Sequence, residues 1–112
     1  MRIRSIAGVA TAILLIPASA FAACFEDLGQ TGCTDSETFT KSDLQRLSCE
    51  NLWLVRNRIF ADNGYCFKTA RGKEIFGNGS CSVDDADQVK MNSYEWANIT
   101  AIGEVEQEMG CE

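Results

Sequence analysis

Leu52, Val55 and Ile59 follow one another at intervals of three and four, with Trp53 and Phe60 widening the stripe, as on a helix with one apolar face. Ser48 stands where an N-cap belongs, Glu50 puts a negative charge in the first turn, and Gly64 after Asn63 supplies a left-handed stop. The spacing predicts a main helix over about 48–63. A second stripe, Trp96, Ile99, Ile102, Val105 and Met109, predicts the buried face of a C-terminal helix over about 93–109. Asn92 with Glu95 forms a capping box at its start, and Gly110 ends it.

Weaker signals fill the remainder. Thr69 and Gly77 bracket a short helix over about 70–76, and Asn78-Gly79 prolongs the turn that follows. Ser42 or Thr40 can cap a short helix containing Leu44 and Leu47. From Cys24 to Phe39, two glycines, several Ser, Thr and Asp, and two cysteines nine positions apart predict an irregular, stapled loop. The stretch 82–92, with Asp84, Asp85 and Asp87, reads as a solvated connection. The expected fold class is mostly α, a small helical domain without internal repeats.

The N-terminus obeys a different logic. Arg2 and Arg4 precede an apolar run from Ile6 to Ile16, and Ala20-Phe21-Ala22 offers small residues at the −3 and −1 positions of a cleavage site, the layout of a secretory signal. The run is shorter than the roughly 20 residues that span a bilayer, so no permanent membrane span is expected. Cleavage after Ala22 leaves residues 23–112, 90 residues, and losing Arg2 and Arg4 takes the net charge from −6 to −8. The expected organisation is a signal peptide over 1–22, a stapled loop over 23–39 and a helical domain over 40–112. Phe21-Ala22-Ala23-Cys24 also resembles a lipobox apart from its first position, so a lipid on Cys24 is the alternative to ordinary release. The localisation implied is periplasmic or secreted.

Composition then narrows the chemistry. With six cysteines and no histidine, the chain has no Ser-His-Asp triad, no Cys-His pair and no imidazole switch. Its acidic balance argues against nucleic acid or an anionic membrane as partner. In an exported chain six cysteines imply three disulfides, which a domain of this size needs because it buries only about 60 to 65% of its unfolded surface. No C-x-x-C pair points to zinc, and no cofactor is implied. If the two long helices pack antiparallel, Cys49 and Cys111 meet at one end. Cys66 and Cys81 each follow a helix stop, which leaves Cys24 with Cys33, although six cysteines permit fifteen pairings.

Residues 47–67, LSCENLWLVRNRIFADNGYCF, resemble the YARHG domain family of exported bacterial proteins. Its marks are a leucine-rich helix with Arg-Asn, an Ile-Tyr-Ala-Arg-His-Gly signature and an aromatic-rich turn. They are met here by Leu52, Trp53, Arg56, Asn57, Ile59, Phe60, Ala61, Gly64, Tyr65 and Phe67. Downstream, Ile75-Phe76 stands for a hydrophobic pair, and Asn98, Ile99, Ile102 and Glu106 fit the closing helix, so the resemblance runs over about 40–111. Asp62 and Asn63 replace the signature's Arg and His, and no role of those two side chains transfers. The resemblance implies an extracellular domain whose molecular function is unassigned.

Each conspicuous side chain has a plain reading beside a sharper one. Arg56 and Asn57 could hold an anion, but a hydrogen-bonding brace between the main helix and the following turn is the expectation. Trp53, Tyr65, Tyr94 and Trp96 could offer a stacking platform for sugar rings, against the plainer expectation of core or half-buried core. Asp84, Asp85 and Asp87 lack the spacing of a calcium loop. Glu104, Glu106 and Glu108 are expected to serve solubility. Asn78-Gly79-Ser80 and Asn98-Ile99-Thr100 match glycosylation sequons by accident. Glu50 and Asp62, twelve residues apart on one helix, would stand about 18 Å from each other, too far for paired-carboxylate hydrolysis.

The expected function is a non-catalytic envelope domain that binds a cell-wall component or another envelope protein. The alternative is an acidic inhibitor of a cationic hydrolase such as lysozyme. Neither oligomeric state nor partner identity follows from the residues.

Overall fold

The computed structural model describes residues 24–112, and the expected signal peptide, 1–22, lies outside the described residues. Among the described residues four α-helices follow in order: α1 (Lys41–Gln45), α2 (Cys49–Asp62), α3 (Ala70–Phe76) and α4 (Ser93–Met109), with a 3-10 turn at Ala86–Gln88 before the last. Among the described residues there is no strand, only isolated bridges between Cys24 and Cys33 and between Tyr65 and Val83.

The helices start where side chains can satisfy their first amides. Thr40 accepts from Asp43 N, Ser48 from Asn51 N and Thr69 from Gly72 N, each at 3.0 to 3.1 Å, and such caps contribute about 1 kcal/mol each. Thr40 rather than Ser42 is the cap of α1, and Leu47 falls beyond that helix. Asn92 and Glu95 satisfy each other's backbone N–H groups at 2.9 Å, a complete capping box. The two long helices end alike. Gly64, at φ +87°, donates to Ala61 O while Tyr65 N donates to Phe60 O, and Gly110, at φ +75°, donates to Gln107 O while Cys111 N donates to Glu106 O. Both are Schellman turns, which need a left-handed residue that glycine adopts without strain.

Helices α2 and α4 pack antiparallel, tied at three levels. Cys49 is bonded to Cys111 at one end. Arg56 Nε and Nη2 donate to the two oxygens of Glu106 at 2.8 and 3.1 Å in the middle. Asn63 Nδ2 donates to Glu95 Oε2 at 3.0 Å at the other end. Leu52 and Val55 from α2, Ile102 and Val105 from α4, Leu44 from α1, and Leu28 and Phe39 from the N-terminal loop form one buried cluster. The loop that composition sets apart thus contributes to the same core.

Two expectations about burial change. The buried line of α4 is Glu95, Asn98, Ile102 and Val105, whereas Trp96 and Met109 are 37% and 42% exposed and Ile99 is half-buried. The seam has turned by one residue at its N-terminal half, because Asn98 is needed inside. Its Oδ1 accepts from Phe39 N at 2.9 Å, and its Nδ2 donates to Glu37 O at 2.8 Å and Thr34 O at 3.1 Å. A stripe read from apolar residues alone cannot register a buried amide. Within 82–92 the aspartates are exposed as expected, but Val89 is buried at 3%.

The disulfides join Cys24 to Cys33, Cys49 to Cys111 and Cys66 to Cys81. A lipidated Cys24 would have no thiol for its bond.

Candidate functional site

Six aromatic rings form a continuous belt across α2, the following turn, α3 and α4. Trp53 and Phe60, seven residues apart on α2, lie two turns apart on one face, about 10 Å along the axis. Trp53 stacks on Phe76 of α3 at 5.9 Å between centroids, Phe76 on Phe67 at 5.0 Å, and Phe67 meets Tyr65 edge-on at 5.1 Å. Tyr65 meets Phe60 at 5.5 Å, and Phe60 meets Trp96 of α4 edge-on at 6.4 Å. Each such pair is worth about 0.5 to 1.5 kcal/mol beyond its buried area. Phe67, at 4% exposure, is the buried centre, while the other five rings are half-buried or exposed.

The belt closes because α3 comes unusually near the turn. Gly72 is buried, and a Cβ there would lie 2.7 to 2.9 Å from the Phe67 side chain, so any larger residue at that position would force Phe67 or α3 to shift. Asn78 seals the other edge of the turn, its Oδ1 accepting from Phe67 N and its Nδ2 donating to Phe67 O, both at 2.9 Å. The Cys66–Cys81 bond ties the same segment covalently. The two ends of the belt differ in charge. At the Trp53 end the Arg71 guanidinium lies 3.8 Å from the indole centroid and pairs with Glu50. At the Trp96 end, Tyr94 beside it in sequence is 44% exposed. Lys68 Nζ sits 5.4 Å from the Tyr65 ring and reaches the backbone oxygen of Asp84.

The residues singled out in the sequence are thereby sorted. Trp53, Tyr65 and Trp96 are joined through Phe60, Phe67 and Phe76, which were not themselves candidates for a site. Arg56 is a brace, but to Glu106 on α4 and not to the following turn. Asn57 is buried and donates only along its own helix, to Trp53 O at 2.9 Å. Glu106 is therefore committed to Arg56, and Glu108 to Lys41 at 2.8 Å, whose ammonium pKa this contact raises. Glu50 and Asp62 stand at opposite ends of α2, paired with Arg71 and Arg58. Asn63, where the signature places His, braces α2 against the capping box of α4 and also donates to Ile59 O at 2.8 Å.

Glu37 escapes a reading by pattern. It accepts from the N–H groups of Gln30, Thr31 and Gly32 and from the Thr31 hydroxyl, at 2.7 to 3.1 Å, and so gathers the N-terminal loop around one carboxylate. The Gln30 amide, then the Thr31 hydroxyl and amide, hold its pKa down from the ordinary 4.5 to about 2. A separate apolar cleft of about 230 Å³ opens beside this loop, lined by Phe25, Leu28, Leu47, Leu54 and Val55.

Neither curated proteins nor solved structures include a match to the chain. The profile of the YARHG domain matches residues 30–107, a span that begins inside the N-terminal loop and takes in α1 to α3 and most of α4. It covers the Asn98 anchor, the Arg56–Glu106 pair and every ring of the belt. The chain belongs to the YARHG domain family.

Proposed function

We propose that this protein is an exported, non-catalytic domain of the bacterial envelope that works by binding, and that the aromatic belt is its contact surface. The observation that carries the reading is the state of the belt. Its rings pack on one another, with Gly72 letting α3 close against Phe67, yet Trp96 at the end of the belt is 37% exposed, and outside the belt Tyr94, two residues before Trp96, is 44% exposed. Rings that are immobile before contact lose little conformational freedom on binding, which is why such surfaces give useful affinity. Three disulfides suit an oxidising compartment, and no helix among the described residues is long and apolar enough to cross a membrane. In keeping with a non-catalytic role, Glu50 and Asp62, the pair weighed for hydrolysis, are tied to Arg71 and Arg58 at opposite ends of α2.

The partner we favour is a cell-wall component, with another envelope protein as the variant of the same reading. Co-sedimentation of the oxidised protein with purified wall sacculi is expected to deplete it from solution. A Trp96→Ala, Tyr94→Ala double variant should lose most of that depletion, while Lys90→Ala should not. A wild-type protein that stays wholly in the supernatant would overturn the wall as partner.

An acidic inhibitor of a cationic hydrolase is the second reading, favoured by the net charge of −8 without the signal and by the exposed Glu104, Glu108 and Glu112 near the end of α4. Attraction to a basic lysozyme should then be strongest at low salt, and negligible binding there ends this idea.

A further inference from the structure

Beside the belt, a small notch of about 70 Å³ is lined by Tyr65 and Phe76, with Gly64, Gly77, Gly79 and Ser80 among its other residues. Tyr65 and Phe76 both pack on the buried Phe67, so neither ring is free to swing shut over the space between them. The Gly79 and Ser80 N–H groups and the Ser80 hydroxyl make no hydrogen bond to another described residue. A Cβ built on Gly77 or Gly79 meets nothing within 4 Å, so the approach over these glycines is open.

Size, charge and polarity together restrict what fits. The volume is about half that of the ~150 Å³ cavity that holds a benzene, so the notch takes a group of three or four heavy atoms and not a whole sugar ring. No lysine or arginine lines it, and the chain is acidic, which disfavours phosphate or carboxylate. What remains is a small neutral group with a hydrogen-bond acceptor for the free N–H and O–H donors, which meets only the edges of Tyr65 and Phe76 in a mostly polar lining.

We infer that this notch is a subsite for the acetamido group of an N-acetylated sugar. It rests on the wall-binding reading and names its ligand class. The amide carbonyl accepts from Gly79 N, Ser80 N or the Ser80 hydroxyl, the methyl lies against Tyr65 or Phe76, and the C–H face of the sugar ring covers the neighbouring aromatic surface. A sugar whose amine is free would place an ammonium group in the same space, without an acceptor for the donors and without a carboxylate to pair with.

The test is a titration of the oxidised, signal-free protein, labelled with ¹⁵N, with a trimer of N-acetylglucosamine, with the deacetylated trimer, and with acetyl-trialanine. The acetylated sugar is expected to shift the amides of Gly77, Gly79 and Ser80, and the deacetylated one to bind at least tenfold more weakly. Gly79→Leu, which introduces a side chain where a Cβ has open space, should weaken the acetylated sugar at least tenfold with the remaining spectrum unchanged. Ser80→Val gives a second, smaller loss should Gly79→Leu disturb the turn. Equal binding of both sugars, or equal shifts by acetyl-trialanine, overturns the assignment. Sacculi that bind while the acetylated trimer does not would remove the notch and leave the wall reading standing; failure of the sacculi would remove both.

Discussion

The loop over 24–39 and the segment over 63–83 are each closed by a short disulfide and each lean on the α2–α4 pair, but different forces hold them. The first is organised by polar groups turned inward. Asn98 binds three of its backbone groups from α4, Glu37 binds four donors from within, and Leu28 and Phe39 complete an aliphatic core. The second is organised by rings. Phe67 is buried between Tyr65 and Phe76, and the belt continues outward to Trp53 and Trp96. The polar groups of the loop are mostly spent on one another, whereas the chain of rings reaches solvent at Trp96. The first region is anchored to the helix pair through Asn98 and the aliphatic core, and the second is the one we propose as the contact surface.

The contrast can be broken from the α2–α4 frame downwards. Replacing Cys49 and Cys111 together by Ser opens the loop of largest separation, 62 residues, and should cost about 4 kcal/mol, against about 3 for the Cys66–Cys81 pair with a separation of 15. Denaturant unfolding of the two double variants checks the order. Next, Asn98→Leu leaves one buried N–H and two carbonyls of the loop without partners, an expected loss of about 3 kcal/mol, together with new protease cleavage between residues 24 and 39. Unaltered proteolysis would mean that the loop stands without α4.

Gly72→Ala acts on the other region. The added methyl group collides with Phe67, so about 1 to 3 kcal/mol is expected, together with a changed near-ultraviolet aromatic signal and unchanged resistance of the N-terminal loop to protease. A variant that cuts in the loop instead would show that the two regions are one cooperative unit.

Glu37 yields a pH signature of the first region alone. Its folded pKa of about 2 lies below its ordinary 4.5, so its contribution is present above about pH 4.5 and is lost as pH falls towards 2. Glu37→Gln should flatten stability over that window and leave the aromatic signal untouched. The smallest effect is expected at Thr34. Its buried hydroxyl has no hydrogen-bond partner among the described residues, so Thr34→Val should be neutral or stabilising by up to about 1 kcal/mol in the same unfolding assay. A loss above that would reveal a partner for the hydroxyl.

How far each of these features can be read in the residues depends on the distance over which it acts. Ser48, Thr69 and the Asn92–Glu95 box are legible because a cap bonds backbone only two or three positions away. The helix ends then bring Cys49 and Cys111 together as soon as the two long helices are antiparallel. Arg56 is legible as a brace but not its partner, because Glu106 is 50 residues away and its place depends on the register of α4 against α2. Asn98 is hidden because an apolar stripe passes on either side of it, and Glu37 because its partners are backbone amides of a loop with no periodicity. Trp53, Tyr65 and Trp96 stand out singly, yet that they share one belt depends on Phe67 and on the missing Cβ of Gly72.

By itself, then, the sequence determined the four helices, their caps and stops, the six-cysteine framework and the membership of the YARHG domain family. These rest on interactions within a few residues or on a pattern that survives without coordinates. Only the tertiary structure decided which face of α4 is inside, that Arg56 pairs with Glu106, that six rings join into one belt, and that a notch lies beside it. Each of those depends on how far one helix slides or turns against another, a shift of one residue that leaves every local propensity unchanged.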